Sequence, residues 1–236
     1  MMKSKKLIIS LVCILALILA GYLLWPYAFT VVPIEEVEQQ KLSEAFDPVA
    51  YVDGIWESQI IPKITKESVS MSDVLNAMQP NPAGLAAKED LIKVAEKYGL
   101  ITVGEAHIYL VKLTGKVTAV DTKTSLGIME VQPDGYGGPI KVRVYVGPRI
   151  PSDETSIRDG VGFIDFGDFK EQTEYGKVGA EINKRVVTGV LDPLDREALV
   201  GKTVTVYGAL TMRTFNLINI DLKKLTIVPI KIEVEG

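Results

Sequence analysis

Cysteine is almost missing from this 236-residue sequence. The single one, Cys13, lies inside an apolar stretch, so the chain beyond it can form neither an internal disulfide nor a thiolate metal site. Histidine is as scarce. His107 stands alone, which removes any multi-histidine metal set, and a Ser-His-Asp triad would have to be built on this one residue. At the start of a strand and without a second ligand, it reads as a surface or edge histidine. A basic surplus is missing too. Three of the 26 basic residues, Lys3, Lys5 and Lys6, precede the apolar stretch and none of the 30 acidic ones does, so the remainder carries 23 positive against 30 negative groups. Phosphate contacts supply most of the affinity of nucleic-acid binders, so this balance argues against such a partner. Gly135-Tyr136-Gly137-Gly138 has the glycines of a phosphate loop but not its lysine and hydroxyl, and a strand follows it rather than a helix. It reads as a hairpin turn. No internal repeat or low-complexity tract occurs.

What the sequence does have is one long uncharged run, Leu7 to Trp25. As a helix it would rise roughly 28 Å at about 1.5 Å per residue, close to the thickness of the hydrocarbon layer. Tyr22, Trp25 and Tyr27 stand where interfacial aromatics belong, and lysines precede the run. This predicts a single-pass anchor in a bacterial cell membrane, with the N-terminus in the cytoplasm and the remaining domain on the periplasmic or extracellular face. A cleaved signal peptide is the alternative, but the run exceeds the usual apolar region and more apolar residues follow Ala20-Gly21. Val12 occupies the position before Cys13 that a lipoprotein signal keeps small, so Cys13 reads as a membrane-buried thiol.

An acidic connector, Thr30 to Ser43, follows. Asp47-Pro48 is a helix start, a capping carboxylate before a first-turn proline, and Val49, Val52, Trp56 and Ile60 make one apolar stripe. Pro62 should kink or end that helix. Ser70 to Asp73 resembles a capping box for a short helix to Met78, and a third helix is expected from about Pro82 to Tyr98, stopped by Gly99. From Glu105 the period changes to two. Tyr109, Val111, Leu113, Val117 and Ala119 alternate with polar residues, with a bend or bulge expected at Gly115. Strands over Thr124–Val131 and Lys141–Val146 come next. A long helix capped by Asp168 and Glu171 carries Tyr175, Val178, Ile182, Val186 and Val190 on one face. Strands over Lys202–Leu210 and Leu225–Val234 end the chain, with a short one over Asn216–Asp221. The expected fold class is therefore α+β: an N-terminal transmembrane helix (1–29), a connector and small helical subdomain (30–104), and an OB-like five-stranded β-barrel (105–236) with one helix between strands 3 and 4. A split α+β sandwich is the rival.

No catalytic residue, metal ligand or cofactor site is assigned. Asp165, Asp168 and Glu171 read as helix-end carboxylates rather than an acid–base pair. Arg158 and Asp159 sit in a loop near Phe163, Phe166 and Phe169. They read either as an ion pair pinning that loop or as a fork for an anionic ligand beside stacking aromatics. Arg143, Tyr145 and Tyr207 form a second candidate ligand-binding set, the aromatic and basic strand face that OB-folds use.

Several segments taken in order resemble a known bacterial family. They are Phe46-Asp47-Pro48, Tyr51-Val52, Ile55-Trp56 and Ile61-Pro62, then Gly147-Pro148, Ile157-Arg158-Asp159, Phe163, Phe166-Gly167-Asp168-Phe169 and Gln172, then Gly201-Lys202 and Tyr207-Gly208-Ala209. The family is the predicted periplasmic lipoproteins of domain of unknown function 2291. The resemblance implies an exported, envelope-attached protein. Members are often encoded near sugar ABC-transporter components, which implies partners among transporter subunits or a solute-binding protein. No site residue carries over, and the sequence around Cys13 departs from a lipid-attachment site. The functional expectation is a non-enzymatic, membrane-anchored accessory or binding protein beside a sugar ABC-type uptake system. An envelope hydrolase acting on carbohydrate through carboxylates, and an OB-type oligosaccharide binder, are the alternatives.

Overall fold

The computed structural model describes residues 13–23, 46–102 and 104–235. The chain divides into two units, Met1–Phe46 and Asp47–Gly236. In the first, residues 13–23 are helical; the rest of the apolar run and the acidic connector lie outside the described residues. Among the described residues no helix is long and apolar enough to cross a membrane.

The second unit opens with α1 (Pro48–Ile55), whose N-cap Asp47 accepts the N–H groups of Val49 and Ala50 at 2.9 and 3.2 Å. Pro62 neither ends nor breaks the helical run. A π-helical turn, Trp56–Ile60, precedes it, and α2 (Ile61–Glu67) continues beyond. The wider turn sends the Ile61 N–H to the Trp56 carbonyl and relieves the clash a proline ring makes with the preceding turn. Val52, Trp56 and Ile60 are buried as the stripe requires, whereas Val49 is exposed. Ser70 caps α3 (Met71–Met78) through the Asp73 N–H. The third helix starts later than its pattern suggests. Leu85–Ala87 is diverted into a two-stranded pairing with Asn219–Asp221, so α4 spans only Lys88–Tyr98 before Gly99 stops it.

Among the described residues, the strands of four or more residues that follow are β1 (Ala106–Asp121), β2 (Ile128–Pro133), β3 (Val142–Tyr145), β4 (Thr203–Arg213) and β5 (Thr226–Val234). Between β3 and β4 lie a short helix, α5 (Ser156–Gly160), and the long α6 (Gln172–Val186). The pairings run β1–β2–β3–β5–β4 and return from β4 to β1, antiparallel except for the parallel β3–β5 contact. The longest strand divides its length between β4 and β2. β1 pairs with β4 from Ala106 to Lys116 and with β2 from Gly115 onward. Gly115 is the corner where it holds both, and a Cβ there would stand 2.1 Å from the Gln132 carbonyl oxygen. The bulge itself falls beyond it, between Val117 and Ala119. The extra residue reverses the alternation, so Ala119, expected inside, is exposed and Val120 packs against the core instead.

Tyr109, Val111, Leu113 and Val117 of β1 join Met129, Val142, Val144, Val206 and Leu210 in the main core, together with Leu75, Met78 and Leu91 from α3 and α4. The opposite face of β1 and β4 is covered by α2 and α5, with α6 against α1 and α5. This outer layer buries Ile60, Ile64, Ile157, Val161, Val178, Ile182 and Val186. Arg185 of α6 ties it to α1 through Asp53.

Candidate functional site

The Arg158–Asp159 pair lies on α5, in a one-turn helix that the sheet positions. Ser156, fully buried, donates its hydroxyl to the Ala209 carbonyl of β4 at 3.3 Å. Glu154 accepts the Ser156 N–H at 3.1 Å, and Asn183 of α6 donates to the Glu154 carbonyl at 2.7 Å. With its start held at three points, α5 presents Arg158 and Asp159 on its far side.

Both charges have local partners. Asp159 accepts from Arg158 Nε at 2.7 Å, from the Tyr175 hydroxyl at 3.0 Å and from the Thr155 hydroxyl at 2.6 Å. Arg158 also donates from Nη1 to the Tyr175 carbonyl at 3.2 Å, and its guanidinium carbon lies over the Tyr175 ring, 3.7 Å from the centroid. The Tyr175 ring in turn meets Phe166 and Phe169, each at 5.5 Å, and Phe169 meets Tyr51 of α1 at 5.5 Å. Burial, and then the Asp159 carboxylate, hold the Tyr175 hydroxyl above its ordinary pKa, so it remains a donor. A hollow of about 400 Å³ opens beside the pair, walled by Thr102, Asp165, Phe166 and Tyr175.

A larger groove, about 440 Å³, adjoins it at Gly162. Its floor is apolar, from Val69, Leu100, Leu110 and Phe163. Its rim is charged. Lys63 and Glu67 pair across one helical turn at 2.8 Å, and Lys97 lies over the Tyr98 ring at 4.7 Å. Sequence reasoning passed over this site because its walls come from the C-terminal ends of α2 and α4 and from α5, which only the fold assembles. Lys97, in the last turn of α4, is the one local signal.

Arg143, Tyr145 and Tyr207 do not meet on one surface. Arg143 registers with Thr226 of β5, but Tyr207 registers with Lys231. Five residues of strand separate those points, about 16 Å at about 3.3 Å per residue. Tyr207 stands between Lys112 and Lys231, whose ammonium groups lie 5.4 and 5.9 Å from its ring. Tyr145 belongs with Glu154, Arg143, Asp153 and Arg213, and burial is the main force raising its pKa.

His107 is not at the surface. It is 1% exposed, because the alternation that turns Tyr109 inward turns His107 inward as well. Its Nε2 lies 3.5 Å from the Thr214 hydroxyl, and burial lowers its pKa below the usual histidine value. Asp168 does not cap α6 but sits in a 3-10 turn, Phe166–Asp168. Glu171 holds the N-cap position without accepting a helix N–H on its side chain and instead accepts from the Thr173 hydroxyl in the first turn at 3.0 Å. The glycine loop after β2 is a hairpin turn that Asn76 of α3 holds through the Gly135 carbonyl at 3.4 Å.

Glu154 provides a pH-dependent test of the α5 scaffold. Burial raises its carboxyl pKa, outweighing the lowering by the Ser156 bonds and Arg213. A carboxyl with a raised folded-state pKa binds its proton more tightly folded than unfolded. Its contribution is therefore fully present below the ordinary carboxylate range and is lost as pH rises through the folded value. Glu154→Gln keeps an oxygen for the Ser156 N–H and removes the buried charge. It should raise the melting temperature by about 2 °C at neutral pH, the scale of roughly 1 kcal/mol in a domain of this size, and by nothing in acid. Melts at the two pH values check this.

The family model described as predicted periplasmic lipoprotein (DUF2291) matches residues 12–233. No curated protein matches the chain. Among solved structures, the crystal structure of an OB-fold protein from Thermotoga maritima is similar, with a TM-score of 0.60 at 17% identity, covering 81% of this chain and 100% of that one. At that identity the likeness shows the fold, and it agrees with the strand order above.

Proposed function

Since the chain belongs to the predicted periplasmic lipoprotein family (DUF2291), we propose that it is a non-enzymatic binding or accessory protein, held at the outer face of the cell membrane by its N-terminal segment. The anchor rests on the uncharged run from Leu7 to Trp25 and the lysines before it. The binding role rests on one observation, the apolar-floored groove between α2, α4 and α5. Its rim offers an ammonium group at Lys97 and a Lys63–Glu67 pair that can fix the orientation of a docked partner. The finer reading is that this partner is a subunit of a sugar ABC-type uptake system. It is supported by the family resemblance alone.

A photo-crosslinking residue placed at Lys97 in the membrane-bound protein tests the groove, with the same residue at exposed Val200 as the control. The expected result is a transporter subunit captured from position 97 in several-fold excess over position 200. Equal capture from the two positions, or capture of transporter from neither, refutes the reading.

A further inference from the structure

The turn after β4 presents three large apolar side chains to solvent. Phe215, Leu217 and Ile218 are 62%, 47% and 77% exposed. They are held in that position. Thr214 donates its N–H and its hydroxyl to the Glu105 carbonyl at 3.2 and 2.8 Å, and the Leu217 N–H returns to the Thr214 carbonyl at 3.1 Å. Lys88 at the head of α4 donates its N–H to the Ile218 carbonyl at 3.0 Å. Asn216, at φ 57°, adopts the left-handed conformation that closes the turn. Exposed Ile101 lies at the same end of the sheet. Its short strand, Leu100–Thr102, pairs with Ala106–Ile108 of β1, and those residues pair in turn with Thr211–Arg213 of β4. An apolar cluster gathered at one end of a soluble unit marks an interaction surface.

Cations stand behind this cluster. A hollow of about 330 Å³ at the root of the turn is walled by Arg213, Leu217, Asp221 and Lys224. Arg213 spends one bond, at 3.1 Å, on the Asp153 carbonyl, and the Asp221 carboxylate accepts the Lys223 N–H at 3.1 Å. Arg213 and Lys224 share the hollow with Asp221, and Asp153 and Glu154 stand on the other side of Arg213. Apolar side chains with cations set behind them match a lipid surface, where the former enter the acyl boundary and the latter meet phosphate.

We propose that the 214–218 turn rests on the anionic outer surface of the membrane that holds the chain's own N-terminal segment, with Arg213 and Lys224 on lipid phosphates. The inference depends on the anchored reading given above. The bilayer is favoured over a protein by reach and by size. Residues 26–46 span at most about 70 Å even fully extended, so a weak contact with that surface is always within range. A turn of this size is also small against the roughly 800 Å² per partner that a stable protein interface buries.

The test uses the full chain with Cys13→Ser and Ile218→Cys, labelled with an environment-sensitive fluorophore and reconstituted in phosphatidylcholine vesicles containing phosphatidylglycerol. The same label at Val200→Cys is the control. Flotation reads the anchor, and a chain that stays at the bottom of the gradient overturns the anchored reading and this proposal with it. If the chain floats, the proposal expects blue-shifted emission at position 218, quenched by brominated lipid several-fold more than at position 200. Arg213→Gln with Lys224→Gln should remove most of that difference. Water-like emission at position 218 in floated protein overturns the proposal alone, and so does a blue shift that requires added envelope protein rather than lipid.

Discussion

Replacing Arg158 by alanine is expected to lower the unfolding free energy by about 2–4 kcal/mol, among the largest effects of any single polar substitution in this chain. The Arg158 side chain is only 11% exposed and Asp159 22%, so removing one partner strands the other away from water. Asp159→Ala should cost a similar amount, because it leaves Arg158 Nε and the hydroxyls of Thr155 and Tyr175 without their acceptor. The double replacement should cost clearly less than the two single losses combined, since both remove the same interaction. Arg158→Lys should recover little. Lysine has no planar group to lie over the Tyr175 ring while also reaching Asp159 and the Tyr175 carbonyl. Urea unfolding of the four-member cycle gives these values. An additive cycle would contradict the pinning role. A cycle with small losses, combined with lost binding of an acidic or phosphorylated sugar, would return the pair to the ligand reading.

The second large effect is expected at Gly115. Gly115→Val should destabilise by more than about 3 kcal/mol, and Gly115→Ala by nearly as much, because the clash begins at Cβ. The atom it meets is backbone, the Gln132 carbonyl oxygen, so no side chain can swing aside. Relief requires β1 and β2 to separate at the corner where β1 also holds β4. Gly176 in α6 is the control, since a Cβ there meets nothing within 4 Å. Gly176→Ala should be neutral or should stabilise by up to about 1 kcal/mol. Parallel unfolding curves separate the two glycines, and equal stabilities at position 115 would remove the corner from the account of the fold.

How much of this was legible depended on whether the signal was local. Asp47 and Ser70 act on residues two or three positions away, and both caps form as their spacing predicts. The alternation along β1 was readable, yet its phase was applied to Tyr109 and not carried back two residues to His107, which it buries as firmly. Glycine permits a bend or a bulge at Gly115, and the corner does fall there. The bulge lies two residues on because the register of β2 places it there, and that is a long-range property. The late start of α4 has the same cause, since residues 219–221 capture 85–87. At the site, the Arg158–Asp159 pairing was visible in adjacent letters. The Tyr175 hydroxyl and ring that complete it come from another helix. Arg143 and Tyr207 looked alike as exposed strand residues, and only the register along β5 shows them to be separated.

The pairing of β1 with β4 also sets a schedule. Ala106 pairs with Arg213 and Lys116 with Thr203, so the longest strand gains its main partner only after about a hundred further residues of chain are available. Contacts this distant in sequence slow folding, because the loop must be closed before the contacts return any stability. Until β4 is available, β1 holds only nearby partners such as β2, so the same topology that makes the finished domain cohesive leaves half of its longest strand waiting for the end of the chain.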